Sequence, residues 1–356
     1  MGHNLPCEDL ETKERPVKKF LYFGVLFVLA SCAVIFALLY RWQASFNDDT
    51  KVFFSKGHTW LLAGEKHLFD ITDRTFNSTG LFGFADGIGK WKPVTSRTIY
   101  APHFMSISNS PTLTDADYVV GVVNGSISTA YPLKILKVHQ VVNDDTQNPP
   151  VMVYFGNASR TAAAFNVADG NVAPVFGCTG YLCGNVDLLF DFDTESLFLP
   201  FSGAFASGPR LGQRFAPLPC SVMPLGQWRA LHGDSRLMSD NTAKNITYPR
   251  VDVLAPAFSL KMSAKSSIAG LYKDTSPTLV IFAGDEQVAV PFPAAKAGGK
   301  NEYKVSRQGR DYIVHFLDDW KAAYVTDPSG AAVPSLRTVW GVYAGLVQDP
   351  VVAELK

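Results

Sequence analysis

The polar residues that most invite a chemical interpretation follow a predicted hairpin in the middle of the chain. Residues 119–144 read VVGVVNGSISTAYPLKILKVHQVVND, and the apolar run, the Asn-Gly step and the alternation after it predict a β-hairpin with a tight turn. The segment closes on three candidate site residues, His139, Asn143 and Asp144. A histidine beside a carboxylate could bind a metal or carry a proton, so this cluster is the first candidate site.

Spacing decides which of these side chains could act together. In an extended segment, His139 and Asn143 would share one face and Asp144 would point to the other. Asp144 is one possible partner of His139, and His232, at the end of a helix predicted over 225–232, is another. A structural interpretation competes, in which these groups satisfy backbone atoms at a strand end, a turn and a helix C-terminus. The sequence favours it, because no second histidine lies at a metal-ligand spacing.

Two cysteines offer another possible site. Cys178 and Cys183 flank a glycine in GCTGYLCG and are a disulfide candidate, or, with His139, a candidate ligand set for a copper-type transition metal. They could equally be small buried residues, since no four-ligand metal spacing is present. We predict no cofactor, with a transition metal as the alternative.

An uncharged apolar run near the N-terminus predicts a membrane anchor. Residues 20–40 carry no charge and are long enough to cross a hydrocarbon core of roughly 30 Å as one transmembrane helix. Basic residues concentrate in the preceding tail, 1–19, which places that tail in the cytoplasm and the rest outside, as in a single-pass inner-membrane protein. A cleaved signal peptide and a lipoprotein processed at Cys32 are the alternatives. All three put the bulk of the chain in the periplasm or another extracytoplasmic space.

Composition bounds the fold and the partners. Lysine plus arginine equals aspartate plus glutamate, 32 each, so no basic field exists for nucleic acid. Glycine and proline are plentiful, and short strand signals recur about every ten residues, at 151–155, 161–165, 187–192, 197–201 and 211–216. The sequence predicts a mainly β (β-rich α+β) fold, a short-stranded sandwich or barrel-like domain.

The chain also resembles itself. NGSISTAYPL (124–133) aligns with AGDEQVAVPF (283–292) at an offset of 159, and 151–170 aligns with 312–330 at nearly the same offset. This predicts a degenerate internal duplication, with a connector and irregular part at 41–110, a first β repeat at 111–245 and a second at 246–356. The second repeat lacks the polar tail of the first.

Several motifs together carry a family resemblance. In order they are AYPL (130–133), HQVVND (139–144), DLLFDFDTESLF (187–198), SGAFASGP (202–209) and QWRALHGDSRLMS (227–239). They resemble the bacterial and archaeal family known as domain of unknown function 3179, which implies an extracytoplasmic protein with no established activity. Members of that family typically carry Cys-Pro-Leu-Cys-Gly after the strand that follows the histidine motif. Here Phe155 and Ala158 fill those two cysteine positions, so no dithiol can form there.

Two functional hypotheses remain. No G-x-S-x-G elbow is present, so a nucleophilic hydrolase is not indicated. The first hypothesis is a non-catalytic, membrane-tethered binding or assembly module within a membrane-protein complex. The second is a redox or metal-handling protein that uses His139 and the nearby cysteines.

Overall fold

The fold is built mostly from short strands. The computed structural model describes residues 51–63, 67–76, 81–83, 98–110, 112–170, 172–242, 246, 248 and 268–356. The predicted membrane segment at 20–40 lies outside these residues. Within the described ranges, no helix combines the length and the apolar character that crossing a bilayer requires.

In chain order, the strands are β1 (Lys51–Ser55), β2 (His58–Ala63), β3 (His67–Asp70), β4 (Leu81–Gly83), β5 (Ile99–Tyr100), β6 (Phe104–Ser106), β7 (Tyr118–Asn124), β8 (Ile127–Pro132), β9 (Val141–Asp144), β10 (Val151–Phe155), β11 (Ala162–Asn166), β12 (Phe176–Cys183), β13 (Val186–Asp191), β14 (Leu197–Leu199), β15 (Ala204–Ser207), β16 (Ala216–Pro217), β17 (Cys220–Pro224), β18 (Arg236–Met238), β19 (Pro277–Ala283), β20 (Glu286–Pro291), β21 (Glu302–Arg307), β22 (Arg310–Leu317), β23 (Ala322–Thr326), β24 (Ser335–Val339) and β25 (Val351–Val352). The α-helices are α1 (Leu133–His139), α2 (Leu225–Leu231), α3 (Phe292–Gly298) and α4 (Trp340–Leu346), and short 3-10 helices cover Ile107–Asn109 and Ala269–Leu271. The predicted β-rich class is confirmed.

The strands form several sheets, and one of them is large. A nine-stranded sheet runs β25-β20-β19-β24-β11-β10-β9-β5, with β16 paired to β11. Two five-stranded sheets, β15-β14-β13-β12-β4 and β17-β7-β8-β18-β6, and two three-stranded sheets, β1-β2-β3 and β21-β22-β23, complete the described part. Side chains from β10 and β11 pack against those of β12, β14 and β15 in an aromatic core, in which Phe165 and Phe198 lie 5.5 Å apart edge to face.

The predicted central hairpin is confirmed. Strands β7 and β8 pair from Val119 with Pro132 to Asn124 with Ile127, which leaves a two-residue loop. Gly125 in that loop has φ +60°, a conformation that glycine adopts without strain. The predicted strand at 211–216 is wrong except at its end. Near the start of this segment the chain turns at Gly212, whose φ is +83°. Only Ala216–Pro217 pairs with β11.

The segment after Pro132 is a helix rather than an extended strand. Helix α1 begins directly after Pro132 and buries Leu133 and Leu136, three residues apart on one face. It ends at His139, and the next residue, Gln140, has φ +60° and turns the chain into β9. The expectation that His139 and Asn143 share one face of a strand is therefore wrong, because a helix end separates them.

The same set of elements occurs twice. Helix α1 with the hairpin β7-β8, and helix α3 with the hairpin β19-β20, have matching lengths, and every element of the second set begins 159 residues after its counterpart. Each set continues with three strands paired in chain order, β9-β10-β11 in the first and β21-β22-β23 in the second. A strand followed by a helix comes next, β17 and α2 in the first set and β24 and α4 in the second. That strand pairs antiparallel with the first strand of the hairpin, β7 or β19. We call 118–231 the first unit and 277–346 the second unit.

Candidate functional site

The Asp144 carboxylate is the centre of a buried polar network. It is 1% exposed, and its Oδ2 accepts hydrogen bonds from the Tyr131 hydroxyl and the Gln147 amide, both at 2.7 Å. Its Oδ1 accepts from the Thr146 hydroxyl at 2.6 Å. Arg236 Nη2 lies 3.2 Å from Oδ2 and completes an ion pair. The lone pairs that a general base would use are already occupied by protein donors.

The partners of Asp144 come from different strands. Tyr131 lies on β8 and Arg236 on β18, while Asp144 ends β9, so the network ties the hairpin sheet to the large sheet. Burial raises the pKa of Tyr131 far above its ordinary value, and the charge of Asp144 raises it further. The phenol therefore stays protonated as a donor. Arg236 also stacks over the Phe104 ring, 4.1 Å from its centroid, so its charge is held in place on both sides.

Asn143 connects two sheets through a backbone. Its Oδ1 accepts from the Phe176 N–H at 2.8 Å, and its Nδ2 donates to the Phe176 carbonyl at 3.0 Å. The side-chain amide of Asn143 thus forms hydrogen bonds with both the N–H and the carbonyl of Phe176 on β12, as the backbone of a neighbouring strand would. This geometry favours the structural interpretation of Asn143.

His139 is fully buried at the end of α1. Its Nε2 lies 2.7 Å from the Tyr248 hydroxyl, which is in turn 2.5 Å from the Thr242 hydroxyl. Asn143 and Asp144 bond to other groups, as described above. The structure therefore does not assemble the three predicted residues around a common point.

His232 belongs to the packing around a tryptophan. It follows the last residue of α2, and its ring lies 4.1 Å from that of Trp228, centroid to centroid. Its Nδ1 is 3.2 Å from the Ser128 hydroxyl. Burial lowers the pKa of His232, so the ring is neutral at pH 7. Its hydrogen bond goes to Ser128 rather than to His139, for which His232 was an alternative partner to Asp144.

The predicted disulfide between Cys178 and Cys183 is wrong. Both are free thiols on the same strand, β12, five residues apart, which separates their Cα atoms by about 15 Å. A disulfide requires roughly 4.4–6.8 Å. Burial raises the pKa of Cys183 to about 11, and raises that of Cys178 well above its ordinary value, so both thiols are protonated and weakly nucleophilic.

The predicted metal ligand set is also not assembled. Cys178 and Cys183 pack in different hydrophobic clusters, and His139 Nε2 is within hydrogen-bond distance of the Tyr248 hydroxyl. Among the residues that the structure describes, no three His, Cys, Asp or Glu side chains are placed to hold a metal ion.

The structure reveals a second buried carboxylate that sequence reasoning missed. Asp187 on β13 is 3% exposed, and its Oδ2 accepts from the Tyr154 hydroxyl at 2.6 Å while its Oδ1 accepts from the Gln140 amide at 2.9 Å. Burial raises the pKa of Asp187 to about 6, against the lowering effect of these hydrogen bonds. The charge of Asp187 in turn contributes to the raised pKa of Cys178.

A loop packs closely against this carboxylate cluster. A Cβ atom added to Gly156 would stand 2.2 Å from the Tyr154 hydroxyl and 2.5 Å from the Ser159 hydroxyl, so only glycine fits. Phe155 and Ala158, at the positions where the resemblance implies cysteines, are both buried. The sequence did contain a signal for this cluster, because Gln140 adjoins His139 and Asp187 is an acid at the head of an apolar strand.

An open groove of about 900 Å³ lies apart from these buried clusters. One wall is the segment 214–217, and the other is the β19-β20 turn with residues near the C-terminus. Within it, Arg307 Nε contacts Glu286 Oε2 at 2.6 Å, and this contact lowers the pKa of Glu286. Arg214 donates to the Ser202 carbonyl at 3.1 Å. Asp285, Asp349 and Phe215 also line it, so the groove offers charges of both signs beside apolar surface.

Fold and site define a β-rich protein of several sheets, with polar residues buried where the sheets meet. The chain belongs to the family described as "Protein of unknown function (DUF3179)", whose model matches residues 98–330. This confirms the resemblance carried by the sequence motifs. No curated protein and no solved structure matches the chain.

Proposed function

We propose that this protein is a membrane-anchored, extracytoplasmic binding or assembly module without catalytic activity of its own. The observation that carries the proposal is the state of Asp144, whose two oxygens accept four side-chain hydrogen bonds from Tyr131, Thr146, Gln147 and Arg236. A carboxylate in that state holds structure together and has no lone pair left for a substrate.

The groove is the surface that supports ligand binding. Its volume, about 900 Å³, is in the range of small-molecule and peptide sites, and its walls offer carboxylates, guanidinium groups and aromatic surface. Such a mixed lining suits an extended polypeptide segment of a partner protein, which presents both donors and acceptors. We place the binding partner there.

The anchor and the two-unit architecture complete the proposal. The uncharged run at 20–40 would hold the domain at the membrane surface, where an assembly module meets its complex. We infer that the two units derive from one duplicated segment, because their elements share a constant offset. The groove is lined by the β19-β20 turn of the second unit and by 214–217 of the first.

Site-directed photo-crosslinking in the native membrane tests the groove. A photo-reactive residue at Asp285, an exposed position in the groove, is expected to give one discrete adduct with a partner chain. The matched control is Ser329, which is also exposed in a turn. An absent adduct at 285, with the protein recovered as a lone monomer, would overturn the proposal, and so would the same adduct pattern at both positions.

A redox or metal-handling role is the second candidate. The observation that favours it is Cys178, a free thiol near the Asp187 carboxylate. Elemental analysis of purified protein decides the matter. Copper, zinc or iron near one equivalent, lost in Cys178→Ala, would support the role, whereas trace metal only would exclude it.

A further inference from the structure

The small sheet β1-β2-β3 has one buried face and one apolar outer face. Leu61 and Phe69 pair across β2 and β3, and both are fully buried in a hydrophobic cluster. The next pair, Leu62 with Leu68, points to the opposite face, because side chains alternate along a strand. Leu68 is 39% exposed, and neither leucine belongs to a hydrophobic cluster of the described residues. The sheet therefore presents apolar side chains away from its core.

Aromatic side chains extend this apolar surface onto β1. Lys56 and Gly57, both with positive φ, form the two-residue turn between β1 and β2. Such a turn places Phe53, which is 43% exposed, opposite Trp60 on the outer face. Phe54, at 74%, has the largest exposed fraction among the large hydrophobic side chains that the structure describes. We call these residues the hairpin surface: Phe53, Phe54, Trp60, Leu62 and Leu68.

Polar groups lie at the margins of the hairpin surface. His58 Nδ1 lies 2.7 Å from the Asp70 carboxylate, so the acid at this margin is already neutralised or hydrogen-bonded. Lys56, at the tip of the turn, is exposed. Aromatic and aliphatic side chains next to a lysine are typical of segments that lie at the boundary between lipid headgroups and acyl chains. There the lysine stem is buried beside the rings while its ammonium reaches the phosphates.

The position of β1 in the chain favours the bilayer as the occupant of this surface. The uncharged run ends at residue 40, and β1 begins at Lys51, so β1 is the first described strand after the proposed anchor. An extended chain of eleven residues spans at most about 40 Å. The hairpin surface is thus held near the membrane by a short connector, whereas a separate partner protein would have to be recruited.

We propose that the hairpin surface docks on the lipid bilayer, with Phe53 and Phe54 inserted at the boundary between headgroups and acyl chains. The inference rests on the membrane anchoring proposed above and gives the anchored domain a second contact with the bilayer. That second contact would fix the orientation of the domain, because a single span with a short connector leaves it free to rotate. The groove is not part of this contact, since none of its lining residues belongs to β1, β2 or β3.

Fluorescence quenching of the full-length protein in phosphatidylcholine–phosphatidylglycerol vesicles tests the docking. A fluorescent amino acid is placed at position 54 and, as the matched control, at Val172, which is 69% exposed. Lipids that carry a nitroxide near the headgroup end of the acyl chain are expected to quench position 54 and not position 172. Equal quenching at the two positions would overturn the inference. Flotation of the vesicles after an alkaline wash measures anchoring in the same samples.

This second measurement separates the two proposals. Protein that floats without quenching at position 54 would overturn the docking and leave the anchor intact, whereas protein that does not float would overturn both.

A charged substitution assigns the contact to the hairpin surface. Phe53→Asp places a carboxylate at the lipid boundary and is expected to cause loss of quenching at position 54, while the protein still floats with the vesicles. Leu271→Asp, at a side chain that is 60% exposed elsewhere, is the control and is expected to keep the quenching. An unchanged thermal midpoint of each variant shows that it is folded. Full quenching in folded Phe53→Asp protein would overturn the docking.

Discussion

The first unit buries a tyrosine and a carboxylate at positions where the second unit buries two valines. Tyr131 precedes Val290 by the constant offset of 159 residues, and both are fully buried. Asp144 pairs with Val151 across β9 and β10, as Val305 pairs with Tyr312 across β21 and β22. The same arrangement of strands thus packs around a hydrogen-bonded ion pair in one unit and around aliphatic side chains in the other.

This difference separates what the fold needs from what has been added to it. Because Val290 and Val305 suffice in the second unit, the Tyr131–Asp144 pair is not required for the hairpin and helix to form. The carboxylate of this pair also contacts Arg236 of β18. Among the described residues, the second unit has no strand that corresponds to β18. We infer that this buried ion pair specifies one arrangement of the two sheets, since replacing such a pair by apolar residues is often neutral for stability. The polar residues of the first unit are therefore best understood as links between sheets.

Breaking the Asp144 network should have the largest effect. Asp144→Ala leaves the buried Tyr131 and Gln147 donors and the Arg236 charge uncompensated, so we expect a loss of about 3–5 kcal/mol in the free energy of unfolding. Urea denaturation measures it. The control Asp311→Ala removes an acid from the exposed pair with Lys304 and should change the free energy of unfolding far less.

The second unit supplies a sharper form of that test. The double variant Tyr131→Val with Asp144→Val copies its residues into the first unit, and it should be less destabilised than the sum of the single variants by about 1–3 kcal/mol. Additive losses would mean that the two side chains are not a coupled pair.

Asp187 should make the stability of the first unit depend on pH. Its pKa is raised by burial to about 6 in the folded state, above the ordinary value of 3.8, so the folded state binds the proton more tightly. Stability is then highest below about pH 4 and falls as pH rises to about 6, by about 2–3 kcal/mol for a shift of this size. Asp187→Asn should flatten this slope in denaturation curves measured from pH 4 to 7, whereas Asp311→Asn should retain it. An unchanged slope in Asp187→Asn would contradict the assignment.

The Asn143 bridge should have a smaller effect. Asn143→Ala leaves the Phe176 N–H and carbonyl unsatisfied at the junction of β9 and β12, at a cost of about 1–3 kcal/mol. The equivalent register position in the second unit is Lys304, which is exposed, so Lys304→Ala should change stability by less than about 0.5 kcal/mol. Equal losses from the two substitutions would remove this contrast between the units.

The buried thiols should show the smallest effect in the folded state. Cys178 and Cys183 are protonated and inaccessible, so a thiol reagent at neutral pH should modify them only on unfolding. Mass spectrometry after timed labelling, with and without urea, measures this. Rapid labelling of the native protein at Cys178 would favour the redox alternative.

The sequence predicts an element correctly where the residues of that one segment are enough to specify it. The hairpin at 118–132, the strand at 151–155 and the helix beginning at Leu225 follow from periodicity and turn residues. Helix α1 was missed because seven residues between a proline and a strand carry too little periodicity. The thiol pair was misjudged because Gly180, which suggested a turn, lies within a continuous strand at a bulge.

Sites formed between strands could not be predicted in the same way. Gln140, Tyr154 and Asp187 come together only because β10 and β13 face each other from different sheets, which no spacing in the chain reveals. Asp144 was singled out correctly as unusual, but its donors Tyr131 and Arg236 are 13 and 92 residues away. Recognising it as saturated required the structure.

Buried polar residues of the first unit link the sheets, and we propose that the groove binds the partner. The direct test is the yield of the adduct from the photo-reactive residue at position 285 in two further variants. Tyr131→Phe removes one hydroxyl from the Asp144 network and keeps the ring, and Arg214→Glu reverses a charge in the groove. We predict an unchanged adduct in Tyr131→Phe and its loss in Arg214→Glu. Loss of the adduct in a folded Tyr131→Phe protein, with retention in Arg214→Glu, would contradict the account.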